Sequence, residues 1–434
     1  MKYVRKRKMI KYLSFILMFV FIIGIGLFIK NTFFYTTDSL INITKLPDDF
    51  MNNYFQEIGK ATYEEKSNML IVISKYEIEE SYGATKVIPS PNNQYILQYS
   101  SEEDKNKALE QLKKDNRIYS VEENNIQKIA EGNYNSWGVE KMSLDTAMDT
   151  ANSYIDNLQP VTVAIIDTGC DMTLFNKYYA GRIEEIYNVL ESSNTNMLDE
   201  NGHGTHIAGT IAESTPNNVK ILPIKVSTDG TMFTSDVISA INYVVRYEKA
   251  DVINMSFGGY YRDTAEEQAV NAAADNNIIA VAAAGNDNTK KEHYPSAFES
   301  TISIASVDEN LSKSSFSNYG TTITFAAPGR NIKSIMSSEA QISAKHTNTD
   351  GYDGDDDHET ISGTSMATPH AVSAVAILKS YNKNLSLEDT VEILKQTATD
   401  IGEPGWDENF GYGLISFYNA NFCNGHRCDK YGIY

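Results

Sequence analysis

From Val161 onward one unit repeats: a short, almost unbroken apolar run, then a stretch with apolar residues at helical spacing. The runs are VTVAIID (161–167), VKILPIKV (219–226), DVINMS (251–256) and IIAVAAAGN (278–286). Between them stand a helix led by Thr234 and Ser235, with Val237, Ile238, Ile241, Val244 and Val245 on one face, and a helix from Thr264 to Asp275. Strands apolar on both faces need cover on both sides, and parallel neighbours need long crossovers. The repeat therefore predicts an α/β fold, a doubly wound and mostly parallel sheet with helices on both faces. Such sheets bind ligands beyond the carboxyl ends of their strands. The polar residues that break the runs fall there: Asp167, Ser256 to Gly259, and Asn286.

Three further contexts carry chemistry. Asp167 ends its run in IIDTG, where Gly169 permits a sharp exit, although a lone Asp there could simply cap a helix. His203 lies in NGHGTHIAGTIA, between two glycines that allow close backbone approach. Ser365 opens an apolar helix in SGTSMATPHAVSAVAIL, where orphan N–H groups point outward. A serine hydroxyl is a weak nucleophile that needs a base, and the base needs an orienting carboxylate.

In the order Asp, His, Ser, the segments DTG, GHGTHIAG and GTSMATPH resemble the three motifs of the subtilisin family of serine proteases, over about residues 132–420. The resemblance implies an endopeptidase in which Ser365 attacks the scissile carbonyl, His203 relays the proton and Asp167 fixes the imidazole tautomer. It implies an oxyanion hole made by the Asn286 amide and the Ser365 backbone N–H. It also implies a substrate edge at Ser256, Phe257 and Gly258, facing Ala283, Ala284 and Gly285 across the first pocket.

Upstream, residues 1–30 carry seven bases and no acid around the apolar Leu13–Ile29, in a chain whose net charge is −20. Bases followed by an apolar segment are export grammar. Both a cleaved signal and a retained membrane anchor are open, and either sets the rest outside the cell. Residues 31–68 read as linker. Strands at Met69–Ser74 and Gln94–Ser100, a helix from Glu102 capped by Ser101, and strands near 117–121 and 125–130 suit a small split-βαβ module. Its place at 69–131, before the larger domain, resembles the family's inhibitory and folding prosegment. The junction aligns near Ala130-Glu131-Gly132, so self-cleavage is expected after Glu131, with Gly132 as the new terminus. A carboxylate in a partly dry pocket needs a cation; Lys290, Lys291 and His293, after Asn286, are the candidates. Residues 421–434 form a tail in which the sequence leaves pairing of Cys423 with Cys428 open.

No cofactor is required by this chemistry. His203 and His206 form H-x-x-H without a third ligand, so a zinc site is not expected. His206 and His370 read as packed residues of the fold, and Cys170 as a buried, inert thiol. The acidic run at 349–359 could hold calcium weakly, or simply be a solvated loop. The stretch after the His203 helix is shorter than the family's usual calcium loop. An acidic chain argues against nucleic acid as partner, leaving a peptide or protein substrate and the chain's own prosegment, plus a membrane if the anchor is retained. Three roles are weighed. One is maturation of a secreted peptide, like the lantibiotic leader peptidases of the family, whose partner is a modified precursor leader. The others are general extracellular degradation and a non-catalytic binding role.

Overall fold

The computed structural model describes residues 63–417, apart from 77, 79, 80, 91, 92, 125, 130–136, 154–157, 338 and 341–356. The apolar segment at 13–29, the junction Glu131–Gly132, most of the acidic run and both tail cysteines lie outside the described residues.

The small module comes first. Helix α1 (Tyr63–Ser67) falls inside the stretch read from sequence as linker. Strands β1 (Met69–Ser74), β2 (Lys86–Ser90), β3 (Gln94–Gln98), helix α2 (Glu102–Leu112) and β4 (Ile118–Glu123) follow. The sheet order is β2-β3-β1-β4. Both β3 and β4 run antiparallel to β1 between them, so β3-α2-β4 is the expected split βαβ. Strand β2 has no counterpart among the expected strands; it contains Pro89, which is tolerated because the strand lies at the sheet edge. Along β1 every residue is buried, yet the pleat still sorts them. Leu70 and Val72 pack with Ala108 and Leu112 of α2, while Met69, Ile71 and Ile73 join the core of the larger domain.

The chain then runs through β5 (Ile126–Ile129), α3 (Gly138–Lys141), α4 (Leu144–Ser153), β6 (Val161–Asp167), α5 (Met172–Tyr179) and β7 (Tyr187–Asn188). Next come α6 (His203–Glu213), β8 (Val219–Lys225), β9 (Thr231–Phe233), α7 (Thr234–Arg246), β10 (Val252–Met255) and β11 (Phe257–Gly258). The last elements are α8 (Thr264–Asp275), β12 (Ile279–Ala283), β13 (Thr301–Val307), β14 (Phe325–Pro328), β15 (Ile332–Ile335), β16 (His358–Ile361), α9 (Thr364–Tyr381) and α10 (Leu387–Thr397).

Seven strands form the main sheet, in the order β14-β13-β12-β10-β6-β8-β7, with every pairing parallel. Alternate residues of β6 separate the two faces. Val161, Val163 and Ile165 share a core with α6 and α9, while Ala164 and Ile166 share one with α7 and α8. The chain leaves β6 toward β8 on one side and returns through β10 on the other, so the order reverses at β6. A crevice opens beyond the strand ends at such a reversal.

Hydrogen bonds tie the small module to α7 and α8. The Ser235 N–H near the start of α7 donates to Asn124 Oδ1 at 2.9 Å, and the Thr264 N–H of α8 donates to Glu122 Oε1 at 3.0 Å. Helix N-termini leave such donors orphaned, and acceptors from the small module satisfy them. Lys66 Nζ reaches Asp236 Oδ2 at 2.7 Å, with both side chains buried.

Candidate active site

Asp167 is the last residue of β6, and His203 the first of α6. Gly202 precedes α6 at φ +96°, a left-handed turn that Gly adopts without strain. Gly204 lies so near the β6 exit that a β-carbon there would meet the Gly169 carbonyl oxygen at 2.3 Å. This close approach brings His203 Nδ1 to 2.8 and 3.0 Å from the two Asp167 oxygens, both side chains being buried. Asp199, absent from the sequence-level candidates, braces the arrangement. Its carboxylate accepts from the Gly202 and Thr205 N–H groups and from the Thr168 hydroxyl, each at 2.8 Å. Its only sequence signal is an acid four residues before a helix.

Ser365 is the second residue of α9, after Gly363, so its N–H has no acceptor within the helix. Its Oγ donates to the Ser256 carbonyl at 2.8 Å, and Ser256 Oγ donates back to the Ser365 carbonyl at 2.9 Å. That carbonyl is available because Pro369, four residues on, has no N–H to give it. Asn286 follows β12. Its Oδ1 accepts from both the N–H and the hydroxyl of Thr364, each at 2.9 Å, which fixes the amide orientation. The Asn286 Nδ2 is buried and has no hydrogen-bond partner among the described residues. A donor held ready beside a serine at a helix N-terminus suits a developing oxyanion. Thr364, which positions it, was also missed from sequence.

Beside Ser256, β11 pairs antiparallel with β5, Phe257 opposite Ile129 and Gly258 opposite Lys128. The other edge of β5 pairs with β9. The chain just before residue 130 is thus threaded as a middle strand along the edge expected to hold substrate. Across from β11 run Ala283, Ala284 and Gly285; the Gly285 N–H donates to Thr364 Oγ1 at 3.1 Å, and the Ala284 carbonyl accepts from Asn318 at 2.9 Å. Of the three cationic side chains expected to meet a substrate carboxylate, two are otherwise engaged. Lys290 is exposed and ion-paired with Glu408. His293 is buried, its pKa pushed down to about 4 by burial, so it is neutral at ordinary pH. Lys291 stands over the Tyr260 ring, 5.7 Å from its centroid.

The H-x-x-H pair does not converge. His206 turns its Nε2 to the carbonyls of Ile332 and Glu359 at 3.0 and 3.1 Å, and burial pushes its pKa down to about 3. His370 points Nδ1 at the Met366 carbonyl. Cys170 is buried, and burial raises its thiol well above the usual range. Among the described residues no group of three or more His, Cys, Asp or Glu could hold a metal. Asp357, from the acidic run, is held by Lys177 and by Tyr178 at 2.7 Å.

The short turn from α6 to β8 holds a cation of its own. The buried Arg182 guanidinium donates to the carbonyls of Val219 at 2.7 Å, Ala212 at 3.0 Å and Thr215 at 3.2 Å, and to Thr215 Oγ1 at 2.7 Å.

Comparison with known proteins agrees with this geometry. The subtilase family model matches residues 159–413. The thermostable alkaline protease of Halalkalibacterium halodurans is 30% identical over 374 residues, covering 82% of this chain and 92% of that one. Subtilisin DY of Bacillus licheniformis is 34% identical over 269 residues, 59% of this chain and 89% of its own. Fervidolysin from Fervidobacterium pennivorans, described as a keratinolytic enzyme related to subtilisin, has the same fold. Its TM-score is 0.67 at 21% identity, over 82% of this chain and 61% of that one.

Proposed function

Because the chain belongs to the subtilase family and is a subtilisin-like serine endopeptidase, we propose that it is exported as a zymogen and cuts secreted peptides with Asp167, His203 and Ser365. In this reading His203 Nε2 removes the Ser365 proton as Oγ attacks the scissile carbonyl, and later delivers it to the leaving amine. Asp167 holds Nδ1–H and stabilises the imidazolium. Asn286 Nδ2 and the Ser365 N–H receive the oxyanion. The observation that carries the proposal is the buried, unpartnered Asn286 Nδ2 fixed by Thr364, beside a serine on a helix N-terminus.

The module at 69–123 and strand β5 act as the prosegment. Support comes from β5 filling the position between β11 and β9 that an extended substrate would take. The basic and apolar segment at 1–30 supports export. The narrower role is limited proteolysis, such as leader removal from a secreted precursor peptide, rather than bulk degradation. A first pocket that admits few side chains would favour it. In the test, full-length chain is secreted with and without Ser365→Ala. The parent should shorten itself and accept a fluorophosphonate label, and the variant should do neither. Self-processing of purified Ser365→Ala chain would refute the assignment. A peptide-library profile confined to a few cleavage sites supports maturation, and broad cleavage supports the degradative alternative.

A further inference from the structure

The side chain of the residue before the cut bond must enter the slot between β11–Gly259 and Ala283–Gly285, the two segments flanking Ser365 and Asn286. The His293 ring occupies the inner end of that slot. A β-carbon on Gly258 would meet its Cε1 at 2.4 Å, and one on Gly285 would meet its Cδ2 at 2.9 Å. The imidazole therefore packs on both glycine walls at once, and the absence of side chains there is what lets it fit. Nδ1 donates to the Ala283 carbonyl at 3.1 Å, which leaves Nε2 as an acceptor in the neutral ring. Tyr260 stands edge-on to the ring at 5.3 Å, and its hydroxyl bonds to Asp287 from the opposite wall, so the two walls are tied together. Lys290 is paired to Glu408, Lys291 stands over the Tyr260 ring, and the Tyr260 hydroxyl bonds to the Asp287 carboxylate. At the ring itself a substrate carboxylate would meet an acceptor nitrogen.

We propose that His293 floors a shallow first pocket that selects small, uncharged side chains such as Ala or Ser. This deepens the catalytic reading above and rests on it.

The test uses the secreted full-length chain after self-processing. Peptides differing only at the cut residue should be cleaved after Ala or Ser roughly tenfold or more faster than after Glu, Leu, Phe or Arg, the discrimination a pocket of fixed depth provides. A preference for Glu, Arg or a large apolar residue overturns the pocket. His293→Gly should deepen the slot and raise cleavage after Phe and Leu relative to cleavage after Ala. Uniform loss across all peptides would mark the ring as structural and overturn its selective role. His293→Ala, a smaller change, repeats the reading should the glycine variant fail to fold. A parent chain that cuts no peptide and takes no fluorophosphonate label at Ser365 overturns the catalytic reading, and the pocket with it.

Discussion

Arg182 should do for the α6–β8 turn what a bound metal does for a longer loop. Its guanidinium is buried and satisfies four acceptors, the carbonyls of Ala212, Thr215 and Val219 and the Thr215 hydroxyl. Burial pulls its pKa down to about 10, so it keeps its charge at neutral pH. Arg182→Met keeps much of the apolar stem and removes every donor. A buried acceptor left unsatisfied costs about 1–3 kcal/mol. At the lower figure, four acceptors give about 4 kcal/mol of lost stability. For a large domain, about 2 °C per kcal/mol then converts that loss into a melting temperature roughly 8 °C lower. The measurement is calorimetry in a Ser365→Ala background, so that the chain does not digest itself. EDTA should shift the parent little, and calcium should not restore the variant, because a cage built around a planar fork lacks carboxylates for a metal. The reasoning fails if Arg182→Met melts within about 2 °C of its parent. It fails equally if EDTA lowers the parent as far as the substitution does.

Other perturbations read other parts of the molecule. In the same Ser365→Ala background, Lys66→Met leaves Asp236 buried and unpaired, and unfolding should show about 3 kcal/mol lost at pH 8 but under about 1 kcal/mol at pH 5. The sign follows from burial, which raises the Asp236 pKa to about 6 even beside Lys66. Stability from such an acid is present at low pH and lost as pH rises through that value, so equal losses at both pH values would refute the assignment. Asn286→Ala should lower kcat by about 10²–10³ with KM little changed, a range that comes from a subtilisin itself; a change confined to KM would contradict the oxyanion role. Gly204→Ala sets a β-carbon against the Gly169 carbonyl and should lower both stability and kcat by parting His203 from Asp167. Unchanged activity in that variant would show that the strand exit has slack.

Much of the scaffold was legible because parallel, two-sided strands are written as unbroken apolar runs. Strand β6 and helix α8 fall where the periodicity predicts, at Val161–Asp167 and Thr264–Asp275. The contexts of Asp167, His203 and Ser365 stand out in the sequence for a related reason, since close packing forces glycines and small residues around each. What sits at each strand end was therefore readable residue by residue. What those residues touch was not. Lys290 and His293 looked alike in sequence as cations after Asn286, and only packing separates them. One reaches solvent and Glu408; the other is driven between Gly258 and Gly285, where desolvation makes the charged form too costly. Arg182 gave no local signal because its partners Ala212, Thr215 and Val219 lie on other elements, brought near only when the sheet and α6 pack. Periodicity reports which side of an element is buried. The charge state and partner of a buried polar group depend on neighbours distant in sequence, and the tertiary structure alone supplies those.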